Sequence, residues 1–108
     1  MTSPTPSADL RPLKLAVWGA GRWGQVMMRN IASSPDLELA AVISSRSKLS
    51  DDITRGAPVF PDWRAANLRT NLDGIVLALP PDRQAAVAEE IVEAGLPLLL
   101  EKPLALDY

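Results

Sequence analysis

The sequence predicts an α/β domain, a doubly wound and mostly parallel sheet of about five strands. Three observations carry this. Short, almost continuously apolar runs occur at Leu13–Trp18, Leu37–Ile43, Ile75–Leu79 and Leu98–Leu100. A stretch with helical spacing separates the first two runs, and another separates the last two. The first run leads straight into Gly19-Ala20-Gly21-Arg22-Trp23-Gly24, a strand-to-helix turn rich in glycine. Strands that are apolar at consecutive positions need cover on both faces, and the crossover helices of a parallel sheet provide it.

Taken in order, residues 1–12 hold proline, serine and threonine with little to bury, and read as a disordered tail. Residues 13–108 then form a single domain. Leu13–Trp18 is a buried strand interrupted only by Lys14. Trp23, Val26, Met27 and Ile31 fall on one face of the helix that follows, which ends at Ser33-Ser34-Pro35. Leu37–Ile43 is a second strand, apolar after Glu38. The stretch from Ser44 to Asp73 is less regular. Ser44-Ser45-Arg46-Ser47 reads as a loop, Leu49 to Thr54 as a short helix, Val59-Phe60 as a very short strand, and Arg64 to Leu68 as one or two helical turns.

Regularity returns at Ile75–Leu79, a strand stopped by Pro80-Pro81. Asp82 is placed to cap a helix running to about Ala94, with Val87, Ile91 and Ala94 on one face. Gly95 and Pro97 end it, and Leu98–Leu100 is the last strand.

Composition narrows the function classes. The net charge of −2 and the lack of any lysine/arginine block argue against a nucleic-acid partner. With neither cysteine nor histidine, disulfides, thiolate metal sites and histidine catalysis are excluded, and no metal is expected. The apolar runs fall short of the roughly 20 residues of a membrane span. No signal-peptide core lies near the start, so a soluble, cytoplasmic protein with no membrane partner is expected.

The glycine turn has the form of a phosphate cradle. Gly19 permits a tight turn, Gly21 lets the backbone approach a pyrophosphate, and Gly24 lets the helix pack on the strand. The unpaired amides at the helix start then face an anion. A dinucleotide is the implied ligand. An NAD-preferring site usually has an acid at the end of the second strand, about 20 residues past the glycines. Here that place reads Ile43-Ser44-Ser45-Arg46, with no carboxylate until Asp51. Ser45 and Arg46 suit a 2′-phosphate, so NADP is favoured over NAD.

Open parallel sheets bind ligands beyond the carboxyl ends of their strands. Pro80-Pro81 and Glu101-Lys102-Pro103 both follow apolar strands. A lysine at such a rim can hydrogen-bond a substrate oxygen or carry a proton. An ordinary surface lysine accounts for the residues equally well.

With these residues in place, the chain resembles the N-terminal domain of the glucose-fructose oxidoreductase, inositol dehydrogenase and MocA (Gfo/Idh/MocA) family. The resemblance runs from Leu13 to Leu106. It rests on Gly19-Ala-Gly21-Arg-Trp-Gly24, Asp73-Gly-Ile-Val-Leu-Ala-Leu-Pro80-Pro81, Ala94-Gly95 and Glu101-Lys102-Pro103-Leu-Ala105. It implies a Rossmann domain of an oxidoreductase that transfers a hydride between a nicotinamide cofactor and a sugar, cyclitol or related hydroxyl/carbonyl substrate. It also implies that Lys102 is catalytic, beside the nicotinamide and the substrate oxygen, and that Lys102-Pro103 is a cis peptide. Pro80 and Pro81 would border the nicotinamide ribose. The cofactor-binding set becomes Gly19, Gly21, Arg22, Trp23, Gly24, Ser44, Ser45, Arg46, Leu79, Pro80, Pro81, Glu101 and Lys102. Two positions depart from the family pattern: Leu79 stands where a small hydroxyl residue is usual, and Gln84 where histidine is usual.

Family members carry a further, sheet-containing substrate domain, which the 108 residues lack. The expectation is cofactor binding with negligible turnover, and homo-oligomerisation through apolar surface left bare near the last strand. Two other readings stand beside it. One is a stand-alone dinucleotide sensor or partner subunit without catalysis. The other is a remnant whose core persists without ligand.

Overall fold

A computed structural model describes residues 11–46 and 49–100 of the chain. Five parallel strands form one sheet in the order β3-β2-β1-β4-β5. These are β1 Leu13–Trp18, β2 Leu37–Ile43, β3 Val59–Phe60, β4 Gly74–Leu77 and β5 Leu98–Leu100. Four helices connect them: α1 Arg22–Ala32, α2 Asp51–Thr54, α3 Trp63–Thr70 and α4 Pro81–Glu93. No helix among the described residues is long and apolar enough to cross a membrane.

The near-continuous apolar strands are explained by two cores, one on each face. Ala16, Ile43, Ile75 and Leu77 pack with Trp63 and Ala66 of α3 and Ile91 of α4. Leu15, Val17, Val42 and Val76 pack on the opposite face with Met28 and Ile31 of α1, and Ile53 of α2 adjoins them. Alternate residues of β1, β2 and β4 therefore serve opposite cores, and both sets are apolar. One irregularity interrupts the alternation. Leu15 pairs with Leu39 but Ala16 with Ala41, so Ala40 is skipped. Ala40 and Ala41 consequently face the same core.

The sequence reading needs correction at three places. The buried face of α1 is Gly24, Met28 and Ile31. The face expected from spacing, Trp23, Val26, Met27 and Ile31, is displaced by one residue, and of it only Ile31 is buried. The displacement follows from Gly24: its close contact with the Gly19 carbonyl points positions 24, 28 and 31 at the sheet. Strand β4 ends at Leu77 rather than Leu79: the Ala78 amide makes the last bond to β1, at the Trp18 carbonyl, and the chain bends at Leu79 into the proline loop. Asp82 is not the cap of α4. Pro80 takes that position, Pro81 opens the helix, and Asp82 lies in the first turn, where its charge still suits the helix dipole. At the other end Gly95, with φ 82°, stops α4 as expected.

Arg11 is held at the sheet by Asp73, whose carboxylate accepts from the Arg11 guanidinium at 3.2 Å. Glu101, Lys102 and the Lys102-Pro103 peptide lie outside the described residues.

Candidate functional site

The carboxyl ends of β1, β2 and β4 meet around an open cavity of about 560 Å³. They meet because β1 lies between β2 and β4, and all three strands run the same way. This is the crevice at which open α/β sheets hold ligands.

The tip of β1 forms the floor. The Gly19 amide donates to the Ile43 carbonyl at 2.9 Å, and the Ala78 amide donates to the Trp18 carbonyl at 2.9 Å. The glycine turn is thereby fastened to β2 on one side and to the β4 loop on the other. Gly19 takes φ 120°, and a Cβ there would lie 2.5 Å from the Ala78 oxygen. No side chain fits that position. A Cβ at Gly24 would overlap the Gly19 carbonyl oxygen. Gly24 is buried behind the turn and does not line the cavity. Gly21 differs from both: nothing lies within 4 Å of where its Cβ would be. The space before it belongs to the cavity, which Gly21 lines.

Gly21 is also the residue before α1, and offers no side-chain cap. The first helical hydrogen bond runs from the Gln25 amide to the Gly21 carbonyl at 2.9 Å. The amides of Arg22, Trp23 and Gly24 precede it, and the first turn holds no acid. Donors and dipole thus present positive potential at the cavity floor. Gln25 steadies the turn by donating its side-chain amide to the Ala20 carbonyl at 3.1 Å.

The tip of β2 supplies one wall. Ser44 is buried, and its amide donates to the Phe60 carbonyl at 2.9 Å. Its hydroxyl accepts from the Arg46 amide at 3.1 Å, which folds the chain into a tight turn. Ser45 and Arg46 are left exposed on the cavity wall. The β4 loop supplies the facing wall with Leu79, Pro80 and Pro81. Gln84, one turn into α4, donates its side-chain amide to the Leu79 carbonyl at 2.9 Å.

Among the sequence-predicted residues, Gly19, Gly21, Arg22, Trp23, Ser44, Ser45, Arg46, Leu79, Pro80 and Pro81 all line this cavity. Glu101 and Lys102 lie outside the described residues. Trp18, Ile43, Pro61 and Arg83 line it too and were not singled out in the sequence. Arg83 stands two residues past the proline pair, near the start of α4, and nothing local marks it for the cavity. Pro61 is brought in by the pairing of β3 with β2, which spacing does not encode.

The cavity is lined by Arg22, Arg46 and Arg83 and, among the described residues, by no carboxylate. A glycine cradle that a side chain would obstruct, unpaired amides and an acid-free basic wall fit a dinucleotide diphosphate. The perturbed carboxylate lies elsewhere. Asp73, just before β4, accepts from the Lys14 amide at 2.8 Å, and this bond holds its pKa below the ordinary 3.8.

Fold and cradle together define a dinucleotide-binding α/β domain. Residues 13–108 match the Gfo/Idh/MocA family, described as an oxidoreductase family with an NAD-binding Rossmann fold. The chain belongs to that family, as its NAD-binding Rossmann domain. It is 34% identical to the rhizopine catabolism protein MocA of Rhizobium meliloti over 94 residues, 83% of this chain and 29% of that protein. It is 28% identical to the redox-sensing transcriptional repressor Rex of Limosilactobacillus fermentum over 85 residues, 76% of this chain and 39% of the repressor. The crystal structure of GenD2 from gentamicin A biosynthesis, in complex with NAD, superposes with a TM-score of 0.76 at 27% identity. That superposition covers 87% of this chain and 28% of GenD2. The chain therefore spans 39% or less of the length of each of these proteins.

Proposed function

We propose that this chain is the cofactor-binding part of an oxidoreductase that prefers NADP(H) and acts on a hydroxyl or carbonyl group of a sugar, cyclitol or related compound. The observation that carries the cofactor preference is the tip of β2. Ser45 and Arg46 line the cavity there, and among the described residues no acid does. An acid at that place would bond the ribose 2′-hydroxyl and repel a 2′-phosphate, whereas serine and arginine can bond and neutralise one. The family supports the reaction type, and the relatives in rhizopine catabolism and gentamicin A biosynthesis support the substrate class.

A bound nicotinamide cofactor would supply the hydride chemistry. The residues of this chain would hold it: the first amides of α1 would take the diphosphate, Ser45 and Arg46 the 2′-phosphate, and Pro80 and Pro81 would border the far ribose. Lys102 is assigned to the substrate oxygen on the strength of its family motif. Hydride transfer needs cofactor, substrate and proton donor held together, so the 108 residues alone are proposed to bind cofactor without turnover.

Titration with NADPH and NADH, followed by nicotinamide fluorescence, tests this. NADPH should bind more tightly, and failure of both to bind at millimolar concentration would overturn the reading. Arg46→Ala should weaken NADPH far more than NADH; equal losses would remove the preference. Lys102→Ala in the full-length enzyme should abolish turnover and leave cofactor binding intact. A second reading, a non-catalytic redox-sensing module, is favoured by the likeness to Rex. It requires cofactor binding without turnover of any sugar or cyclitol in the full-length protein.

A further inference from the structure

We propose that Arg83 is a specificity-determining residue which, together with Arg46, clamps the 2′-phosphate of the bound nucleotide; this rests on the NADP reading above. Arg83 is exposed and lines the cavity from the start of α4. It occupies the third helical position after the cap Pro80, where a cation works against the helix dipole. Helix stability therefore does not account for it. The ion pairs among the described residues, Arg11–Asp73 and Arg64–Glu90, lie elsewhere.

The division of charge assigns its partner. The glycine cradle already meets the diphosphate with the first amides of α1 and with Arg22. The remaining cations of the lining are Arg46, beyond β2, and Arg83, beyond β4. These strands flank β1, so their tips stand about 10 Å apart, two strand spacings. Arg46 and Arg83 both line the one cavity beyond these tips, one from the β2 side and one from the β4 side. A phosphate monoester carries a charge of about −1.5 to −2 at neutral pH, so one guanidinium leaves it partly unbalanced and two match it. The chain as a whole has a net charge of −2, yet this lining gathers three arginines and, among the described residues, no acid.

The test measures binding, not turnover. Trp18 and Trp23 line the cavity, so quenching of tryptophan emission reports occupancy. NADPH, NADH, adenosine 2′,5′-bisphosphate and 5′-AMP are titrated into the wild-type chain and into Arg83→Gln and Arg83→Lys. Arg83→Gln should weaken NADPH and the 2′,5′-bisphosphate about tenfold or more, the scale of one charge-assisted hydrogen bond, and change NADH and 5′-AMP less than about twofold. Arg83→Lys, which keeps the charge, should recover part of the loss. Losses in Arg46→Ala and Arg83→Gln should combine less than additively for NADPH, as expected of two groups on one phosphate. Equal weakening of NADPH and NADH would place Arg83 on a shared part of the nucleotide and overturn the proposal. So would an unchanged NADPH affinity, which leaves the cofactor reading standing. Failure of the wild-type chain to bind either nucleotide would overturn that reading instead, and the proposal with it.

Discussion

The carbonyl oxygen of Gly19 fills the place that a side chain at Gly24 would take. Helix α1 and the turn that follows β1 therefore meet backbone to backbone. Gly24→Ala should force the two apart and cost about 1–3 kcal/mol, the range for overpacking a close contact. Gly21→Ala makes the opposite prediction. Its added methyl meets nothing within 4 Å, and its φ of −77° suits alanine. Stability should fall by no more than about 1 kcal/mol, the usual cost of alanine before a helix, while nucleotide affinity drops sharply because the methyl enters the cradle. Urea unfolding and NADPH titration on both variants separate the two roles.

Asp73 gives a pH prediction. Its carboxylate accepts from the Lys14 amide at 2.8 Å and from Arg11 at 3.2 Å, while its own amide donates to the Lys14 carbonyl at 2.7 Å. Principally the backbone bond, and secondarily Arg11, lower its pKa. A depressed carboxylate stabilises the fold fully above the unfolded pKa, near 3.8, and loses that contribution as the pH falls through the folded value. Asp73→Ala should therefore cost about 1–3 kcal/mol at pH 7, leaving the Lys14 amide short of an acceptor. The gap between wild type and variant should shrink steadily below pH 4. Denaturant midpoints measured from pH 7 down to pH 2 check it.

Strands β1, β2 and β4 were legible in the sequence because both their faces are buried. Ala16, Val17, Ala41, Val42, Ile43, Ile75 and Leu77 are all apolar and 0% exposed, so each strand reads as an unbroken run. The glycine turn was legible because each glycine answers a separate backbone demand. What escaped depends on how elements stack. Arg83 and Pro61 reach the cavity through strand order, which no local pattern states. The end of β4 was placed late because Leu79 is as apolar and as buried as a strand residue, though its carbonyl bonds to Gln84.

The turn of α1 by one residue has its own test. Met28 is 0% exposed, whereas Met27, next to it, is half-buried at the margin of the same core. Spacing alone put Met27 inward; contact through Gly24 puts Met28 there. Met28→Ala should cost about 2–5 kcal/mol, the range for deleting a buried large side chain, and Met27→Ala clearly less. Thermal unfolding of the pair decides which face is inside, and equal losses would contradict the packing described.

Gln84 stands where the family resemblance places a histidine, and the structure gives it a use. Its side-chain amide holds the Leu79 carbonyl at 2.9 Å, bracing the loop that carries Pro80 and Pro81 to the cavity. Gln84 itself does not line the cavity. Removing it should thus act on binding through the loop, not through a lost contact. Gln84→Ala should lower stability by about 1 kcal/mol, one ordinary hydrogen bond, and weaken NADPH and NADH by the same factor, since both share this half of the nucleotide. Gln84→His can donate from its ring to the same carbonyl and should restore both affinities. An unequal loss of NADPH over NADH in Gln84→Ala would mean that the β4 loop also sets cofactor preference, and that outcome would separate from the Arg83 effect by its rescue with histidine.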